Sequence, residues 1–393
     1  MPSVRAAADW FRKERAWINQ QHLALCRIPA PTFFEQKRAA WMAEQFKSLG
    51  WEAKIDRAGN VVASLAGQNR AAIAVTAHLD TVLAPRIPED IRVGDDGRFL
   101  GPGVSDNATG LTALLALAAV WNARPPLEDS ALTPILIANV GEEGEGNLSG
   151  MRYICRSANS ANLRAFLVLD GPSLDHITSQ ALASRRYEVS ITGPGGHSWT
   201  DHGTGNPVHA LSRTITIFSD EAGASAGASK GNAPRSSFNV GVIEGGVSIN
   251  SIPSEARAKI DLRSEDPERL EQMVAQIGSA VERAVEIENA RGGAKVIGRV
   301  KEIGSRPGGG LREDSPLVEC IRAVDAHLGI RSHLGCSSTD ANVPLSLGLP
   351  AISIGTGGQG GGAHTPAEWY QPDGRELGLQ RVLLALCMLL QSE

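Results

Sequence analysis

The sequence lacks the features of disulfide-rich, membrane-embedded and nucleic-acid-binding proteins. Its five cysteines are far apart and form no CxxC pair, which argues against a cysteine zinc site and is typical of reduced thiols in a cytoplasmic protein. No segment reaches the roughly 18 apolar residues of a membrane span, and the charged N-terminus has no apolar core of a secretory signal. A net charge of −5 with scattered Lys and Arg offers no basic surface for nucleic acid or an anionic membrane.

The 393 residues, 42% of them hydrophobic, can bury one large core or two smaller ones. Over 1–183, continuous apolar runs alternate with helical patterns, which predicts an α/β layer fold with a sheet covered on both faces. The order over 184–303 is β-α-β-β-α-β, typical of a ferredoxin-like domain. Apolar strand character returns over 304–393, so we expect the middle domain to be inserted into a larger one.

Acidic and histidine residues follow three of the predicted strands. "AAIAVTA" is followed by His78 and Asp80, "PILIANV" by the pair Glu142 and Glu143 in "GEEGEG", and "AFLVL" by Asp170. In open α/β sheets, ligands collect outside the carboxyl ends of the strands, so these side chains are expected at one edge. The two adjacent glutamates point to opposite sides of an extended chain.

Each of these residues also has an ordinary structural explanation. Asp106, just before a helix, could be a helix cap, Asp170 could mark a strand exit, and His78 could be a core histidine. Glu145 is best interpreted as part of a solvated turn. Taken together, however, several carboxylates at one sheet edge repel one another, so a cation between them is expected. A metal-free salt-bridge network stays open as an alternative.

His364, in "GGGAHTPAEWY", adds a second histidine after the late strand "PAISIG". Oxygen ligands with a few imidazoles suit zinc, manganese or cobalt, and two metals that share a carboxylate suit hydrolysis. The nearby Gly355-x-Gly357-x-x-Gly360 pattern is not followed by a helix, and the sequence has no GK[ST], which argues against dinucleotide and P-loop binding.

Six ordered motifs resemble the metallopeptidase family M20, which includes peptidase T (aminotripeptidase), glutamate carboxypeptidases, succinyl-diaminopimelate desuccinylase and aminoacylases. The motifs are "TAHLDTV", "GPGVSDNATG", "VGEEGEG", "LVLDG", "GPGGHSW" and "HTPAEWY", and the resemblance covers nearly the whole chain. It implies a zinc-exopeptidase-like catalytic domain (1–183 and 304–393) with a mixed sheet covered by helices. It also implies an inserted ferredoxin-like lid or dimerisation domain (184–303) and a homodimer formed through that lid.

The resemblance also implies two divalent metal ions, most simply zinc, with cobalt or manganese as alternatives. The implied ligands are His78, Asp106, Glu143, Asp170 and His364. Asp106 would bridge the ions, with His78 and Asp170 completing one site and Glu143 and His364 the other.

The resemblance gives roles to residues around the metals. Glu142 would be the general base that takes a proton from the attacking water and passes it to the leaving amine. Asp80 would orient His78. The peptide bond between Asp106 and Asn107 is expected to be cis.

Three residues of the predicted lid match family positions near the substrate. His197 would reach the partner subunit's active site and stabilise the oxyanion. Asn250 and Arg263 would bind the substrate carboxylate or the oxyanion region, although a structural ion pair is an alternative for Arg263.

Within this family, an aspartate at the position of Asp170, rather than a glutamate, is typical of aminopeptidases and tripeptidases, so the resemblance implies an exopeptidase of that type acting on short peptides. An N-acyl-amino-acid amidohydrolase or a glutamate-type carboxypeptidase of the same family is the alternative within enzymes. A catalytically silent, peptide-binding member is the alternative from another class.

Overall fold

The computed structural model describes residues 2–66, 70–127, 130–156, 161–225 and 234–391. The chain divides into two compact units: the first consists of 1–181 and 309–393, and the second of 182–308. The three-part division that the sequence suggested (1–183, 184–303 and 304–393) stays a prediction for the functional domains.

The first unit begins with three helices and contains the whole of a large nine-stranded sheet. Its elements up to the second unit are α1 (Pro2–Lys13), α2 (Arg15–Cys26), α3 (Gln36–Ser48), β1 (Glu52–Ile55), β2 (Val61–Ser64), β3 (Ala72–His78), β4 (Arg92–Val93), β5 (Phe99–Leu100), α4 (Ala108–Ala123), β6 (Thr133–Asn139), α5 (Ser149–Arg156), β7 (Leu163–Leu169) and β8 (His176–Ala181).

The second unit follows the expected β-α-β-β-α-β order, with one additional short strand pair. Its elements are β9 (Ala183–Thr192), β10 (Gly196–His197), α6 (Pro207–Ser225), β11 (Ser236–Gly245), β12 (Ser251–Ile252), β13 (Glu255–Ser264), α7 (Pro267–Asn289) and β14 (Ile297–Arg306). The antiparallel sheet has the order β11-β13-β9-β14. Its apolar face packs with residues of the two helices, among them Phe218 and Ile277.

The chain then returns to the first unit. The remaining elements are β15 (Gly309–Gly310), α8 (Pro316–Leu328), β16 (His333–Ser337), α9 (Asn342–Ser346), β17 (Ala351–Ile354), β18 (Gln359–Gly361), β19 (Trp369–Gln371) and α10 (Arg375–Gln391). The large sheet has the order β1-β2-β6-β3-β7-β17-β8-β15, with β16 also paired to β8. Strands β6, β3, β7 and β17 run parallel, and β2 is antiparallel to β6, so the sheet is mixed as predicted.

The central strand β3 explains why the sheet is covered on both faces. All seven of its residues are buried. Ile73, Val75 and Ala77 belong to one apolar cluster, whereas Ala72 and Ala74 belong to another. Because successive side chains of a strand point to opposite faces, a run without polar alternation needs helices on both sides. The α/β fold class with an inserted β-α-β-β-α-β domain is therefore confirmed.

A buried ion pair joins two helices of the first unit. Asp325 of α8 accepts two hydrogen bonds from Arg381 of α10, at 2.7 Å from Nε and 2.6 Å from Nη2. Both side chains are almost inaccessible, at 4% and 0% exposure. We expect Asp325→Ala to lower the free energy of unfolding by about 3–5 kcal/mol, because it leaves the guanidinium buried without its counter-charge.

Urea unfolding at neutral pH measures this effect. The matched control is Glu313→Ala. It breaks an exposed ion pair with Arg322, which, like Asp325, is in α8, and should change the free energy of unfolding by no more than about 1 kcal/mol. A loss for Asp325→Ala as small as that of the control would contradict the stabilising role of the buried pair.

Candidate metal centre

The strand order brings the predicted residues to one edge of the large sheet. Strands β3, β6 and β7 are parallel neighbours, with His78 opposite Asn139 in the register. Their carboxyl ends are followed by the segments that carry Asp80, Glu143 and Asp170. The topology therefore brings to one edge of the sheet three acidic residues that are spread over about ninety positions of the sequence.

The candidate ligands form overlapping groups. His78, Asp106 and Asp170 offer ligand atoms that lie within 4.8 Å of one another, and the same holds for Asp106, Glu143 and His364. These are the two ligand sets that the resemblance implies, and Asp106 is the member they share. A third group unites His78 with both Glu142 and Glu143.

The two carboxylate oxygens of Asp106 face different histidines. Oδ1 lies 3.1 Å from His78 Nε2, and Oδ2 lies 3.0 Å from His364 Nε2. The Nε2 atom of His364 is also 2.8 Å from Glu143 Oε1, and that of His78 is 4.0 Å from Asp170 Oδ1. Zinc bonds of about 2.0–2.1 Å at tetrahedral angles separate two ligand atoms by about 3.3 Å. The observed separations of 2.8–4.0 Å lie on both sides of that value, so the spacing of the donor atoms is compatible with binding of a divalent metal.

The electrostatics of the group also favour a cation. Burial, and then the charge of Asp106, raises the pKa of Asp170 to about 7. Hydrogen bonds to Asp106 and Glu143 raise the pKa of His364 to about 10. Burial alone would lower the pKa of His78, but the nearby carboxylates of Asp106 and Asp80 outweigh burial and hold the pKa well above its ordinary value. The carboxylates thus draw positive charge to the site, which is the role that a bound metal fills.

Asp80 forms hydrogen bonds both with His78 and with the backbone of Glu142 and Glu143. The Nδ1 atom of His78 donates to the backbone carbonyl of Asp80 at 2.9 Å, while the carboxylate lies at 3.6 Å. This bond fixes the ring with Nε2 facing Asp106. The carboxylate instead accepts the N–H groups of Glu142 (3.0 Å) and Glu143 (2.9 Å) and the hydroxyl of Thr32 (3.0 Å). Asp80 therefore connects the segment after β3 to the segment after β6.

Glu142 lies inside the site rather than on an exposed turn. It is 4% exposed, and Glu143 is 7% exposed, whereas Glu145 is exposed. An oxygen of Glu142 is within 4.8 Å of ligand atoms of His78 and Glu143. Glu142 and Glu143 are therefore not part of a solvated turn, whereas the exposure of Glu145 agrees with that interpretation.

The peptide bond between Asp106 and Asn107 is cis, which confirms that expectation. The helix cap is Asn107, whose Oδ1 accepts the N–H of Gly110 at 3.1 Å. Asn107 also donates to the carbonyl of Leu169 at 2.8 Å and so joins the start of α4 to the end of β7. Asn107 was not among the predicted site residues, although the preference of asparagine for the cap position was a usable signal.

The predicted lid residues lie in the second unit. His197 is exposed in β10, and its Nδ1 accepts the N–H of Trp199 at 3.2 Å. Asn250 accepts the hydroxyl of Ser248 at 2.7 Å. Arg263 forms an ion pair with Asp261, with Nε and Oδ2 2.7 Å apart. These contacts are all local to the second unit, and the roles of His197, Asn250 and Arg263 toward a substrate stay predictions.

Parts of the chain match two peptidase family models. Residues 183–288 match the M20 peptidase dimerisation domain, and residues 60–188 match peptidase family M28. An uncharacterised protein of Bacillus subtilis (strain 168), YqjE, is 27% identical over 360 residues, which are 86% of this chain and 89% of that protein. None of the described helices has the length and apolar character needed to span a bilayer.

Two proteins of known activity are also similar. The succinyl-diaminopimelate desuccinylase of Paracoccus denitrificans is 25% identical over 285 residues, 68% of this chain and 73% of that enzyme. A tripeptidase structure from Staphylococcus aureus superposes with a TM-score of 0.74 at 20% identity, covering 95% of this chain and 97% of that one.

Proposed function

We propose that this chain, a hydrolytic metallo-enzyme of the M20 family of peptidase T-like peptidases and amidohydrolases, hydrolyses peptide bonds in short peptides at a two-metal centre. The proposed type is an exopeptidase, either a tripeptidase or an aminopeptidase. The observation that carries the proposal is the placement of Asp106, whose two oxygens each face a different histidine at 3.0–3.1 Å. A carboxylate shared in this way is what two neighbouring divalent ions need.

The proposed ligands divide into two sets around the shared carboxylate. His78 and Asp170 would hold one ion with Asp106, and Glu143 and His364 would hold the other. When bound, two such ions, most simply zinc, polarise the scissile carbonyl and lower the pKa of the attacking water. Cobalt or manganese suits the same oxygen and imidazole donors.

Glu142 is the proposed general base. Its carboxylate is buried beside His78 and Glu143, and its backbone is held by Asp80. From that position it would accept the proton of the attacking water and later deliver it to the leaving amine. The division of work between two adjacent glutamates, one a ligand and one a base, follows from their opposed side chains.

The second unit would complete the site in a homodimer. The match of residues 183–288 to a peptidase dimerisation domain supports this assembly. By resemblance, His197 would stabilise the oxyanion in the partner's site, and Asn250 and Arg263 would bind the substrate. Arg263 would then exchange its ion pair with Asp261 for the substrate's carboxylate.

The alternative enzyme is an N-acyl-amino-acid amidohydrolase or glutamate-type carboxypeptidase, and similarity to a desuccinylase favours it. A catalytically silent, peptide-binding protein is disfavoured, because all five proposed ligands and Glu142 are present and grouped.

Hydrolysis of matched substrates separates these functions. We expect a tripeptide with a free N-terminus to be cleaved with a kcat/KM at least about tenfold above that of its N-acetylated form, since an acidic site attracts the α-ammonium group. N-acyl amino acids are the third substrate, and zinc, cobalt and manganese are supplied in separate assays.

Faster hydrolysis of the N-acyl amino acids would establish the alternative enzyme. Hydrolysis of none of the substrates by metal-loaded protein would identify the silent binding protein.

A further inference from the structure

The turn that carries Asp106 is held by a buried carboxylate from far along the chain. Glu368, only 3% exposed, follows His364 by four residues. Its Oε2 accepts the N–H of Gly103 at 2.6 Å. Its Oε1 accepts the N–H of Ser105 at 2.8 Å, the hydroxyl of Ser105 at 2.9 Å and the N–H of Asp106 at 2.9 Å. Four donors of one turn therefore converge on a single side chain.

These bonds act directly on the proposed bridging residue. The backbone N–H of Asp106 donates one of these bonds to Glu368. This bond fixes the backbone from which the Asp106 side chain reaches the two histidines. Hydrogen bonds to an ionised acceptor are stronger than neutral ones, and burial strengthens them further. In the absence of Glu368, the buried N–H groups of Gly103 and Ser105 and the partly buried N–H of Asp106 would lose their acceptor, which is costly.

The segment that supplies Glu368 also supplies a proposed metal ligand. His364 and Glu368 are joined by a compact turn, in which Thr365 N–H donates to Gly362 O and Glu368 N–H donates to Thr365 O. The carbonyl of Glu368 in turn accepts the N–H of Gly101 at 3.0 Å. The segment is thus tied to the 101–106 region through backbone and side chain, independently of the contact between His364 and Asp106.

A second buried side chain holds the same turn by a carbonyl. His22 lies 2.8 Å from Val104 O through Nε2, and Arg375 donates to its Nδ1 at 2.7 Å. Because Arg375 occupies Nδ1 as a donor, Nε2 carries the proton and donates to Val104. The amides of the turn are therefore held by Glu368, and one of its carbonyls is held by His22.

We propose that Glu368 is a positioning residue for the metal centre: it fixes the Gly103–Asp106 turn so that Asp106 is set for two ions before they bind. This inference rests on the proposed two-metal function. Since Asp106 is shared, loss of Glu368 weakens both ion sites together. Replacing residues that support metal ligands typically costs 10–100-fold in metal affinity.

Zinc affinity of metal-free Glu368→Gln, measured by competition with a chromogenic chelator, tests the proposal without using activity. We expect affinity to fall by about 10–100-fold at both sites, because the amide turns a donor toward an N–H group of the turn. The thermal midpoint of the metal-free protein is measured in parallel. Ser105→Ala removes only the hydroxyl bond and should stay within about threefold of wild type. Glu288→Gln replaces a buried glutamate of the second unit and should leave zinc affinity unchanged.

Wild-type zinc affinity in folded Glu368→Gln overturns the proposal. If the thermal midpoint of that variant is lower while its zinc affinity is unchanged, the role of Glu368 is purely structural. If Glu368→Gln does not fold, Glu368→Asp replaces it: the shorter side chain cannot reach both Gly103 and Asp106, so wild-type affinity there overturns the proposal as well. If wild-type protein itself binds no zinc, the proposed metal centre fails, a result distinct from failure of the Glu368 inference alone.

Discussion

Glu142→Gln is expected to lose hydrolysis while it keeps its metal. The glutamine retains the size of the side chain but cannot accept the proton of the attacking water, so kcat should fall by about 10²–10⁴-fold. Metal content should stay at the wild-type level, because the proposed ligands His78 and Glu143 are unchanged. Steady-state hydrolysis of the preferred tripeptide, with metal analysis of the same samples, measures both quantities.

Glu145→Gln is the matched control for this variant. Glu145 is in the same "GEEGEG" segment, is exposed and has no proposed role, so its kcat should remain close to that of wild type. A Glu142→Gln enzyme with wild-type kcat would remove Glu142 as the base. Loss of metal together with activity would instead show that Glu142 acts as a ligand.

Asp106→Ala is expected to lose both ions and all measurable hydrolysis. Its two oxygens face His78 and His364, so one substitution removes a donor from each proposed site. The loss of metal affinity should exceed the roughly 100-fold that is typical for residues that only support a ligand. Dialysed protein is analysed for zinc, and hydrolysis is assayed with and without added zinc.

Asp175→Asn is the matched control, because it removes a carboxylate that follows strand β7 but is not a proposed ligand. Asp175 lies five residues after Asp170 and is 73% exposed, so zinc content and activity should be unchanged. Retention of two ions by Asp106→Ala would contradict its bridging role. Retention of one would show that only a single ion depends on it.

The fold and the position of the site followed from local patterns. Strands such as Ala72–His78 are apolar throughout, which predicts burial on both faces and hence an α/β layer fold. Because β3, β6 and β7 are parallel, the residues after their ends meet without any knowledge of loop structure. The role of Asp106 was different: spacing alone allowed a helix cap, and only the resemblance suggested a shared ligand.

Contacts made across long stretches of sequence could not be predicted. Asp80 was expected to orient His78, but its carboxylate reaches the amides of Glu142 and Glu143, which depends on the register of β3 against β6. Glu368 lies 262 residues from Asp106, and no periodicity or spacing connects two positions so far apart. Such positions are set by tertiary packing, which a single sequence does not display.

A centre in which Asp106 is a ligand of two metal ions can be tested by metal titration. Metal-free protein is titrated with zinc at neutral pH, and bound zinc per chain and tripeptide hydrolysis are followed together. Two ions per chain, with hydrolysis that reaches its maximum only when both are bound, is the predicted result. If the protein binds no zinc, its acidic and histidine side chains are paired only to one another, and the two-metal centre is ruled out.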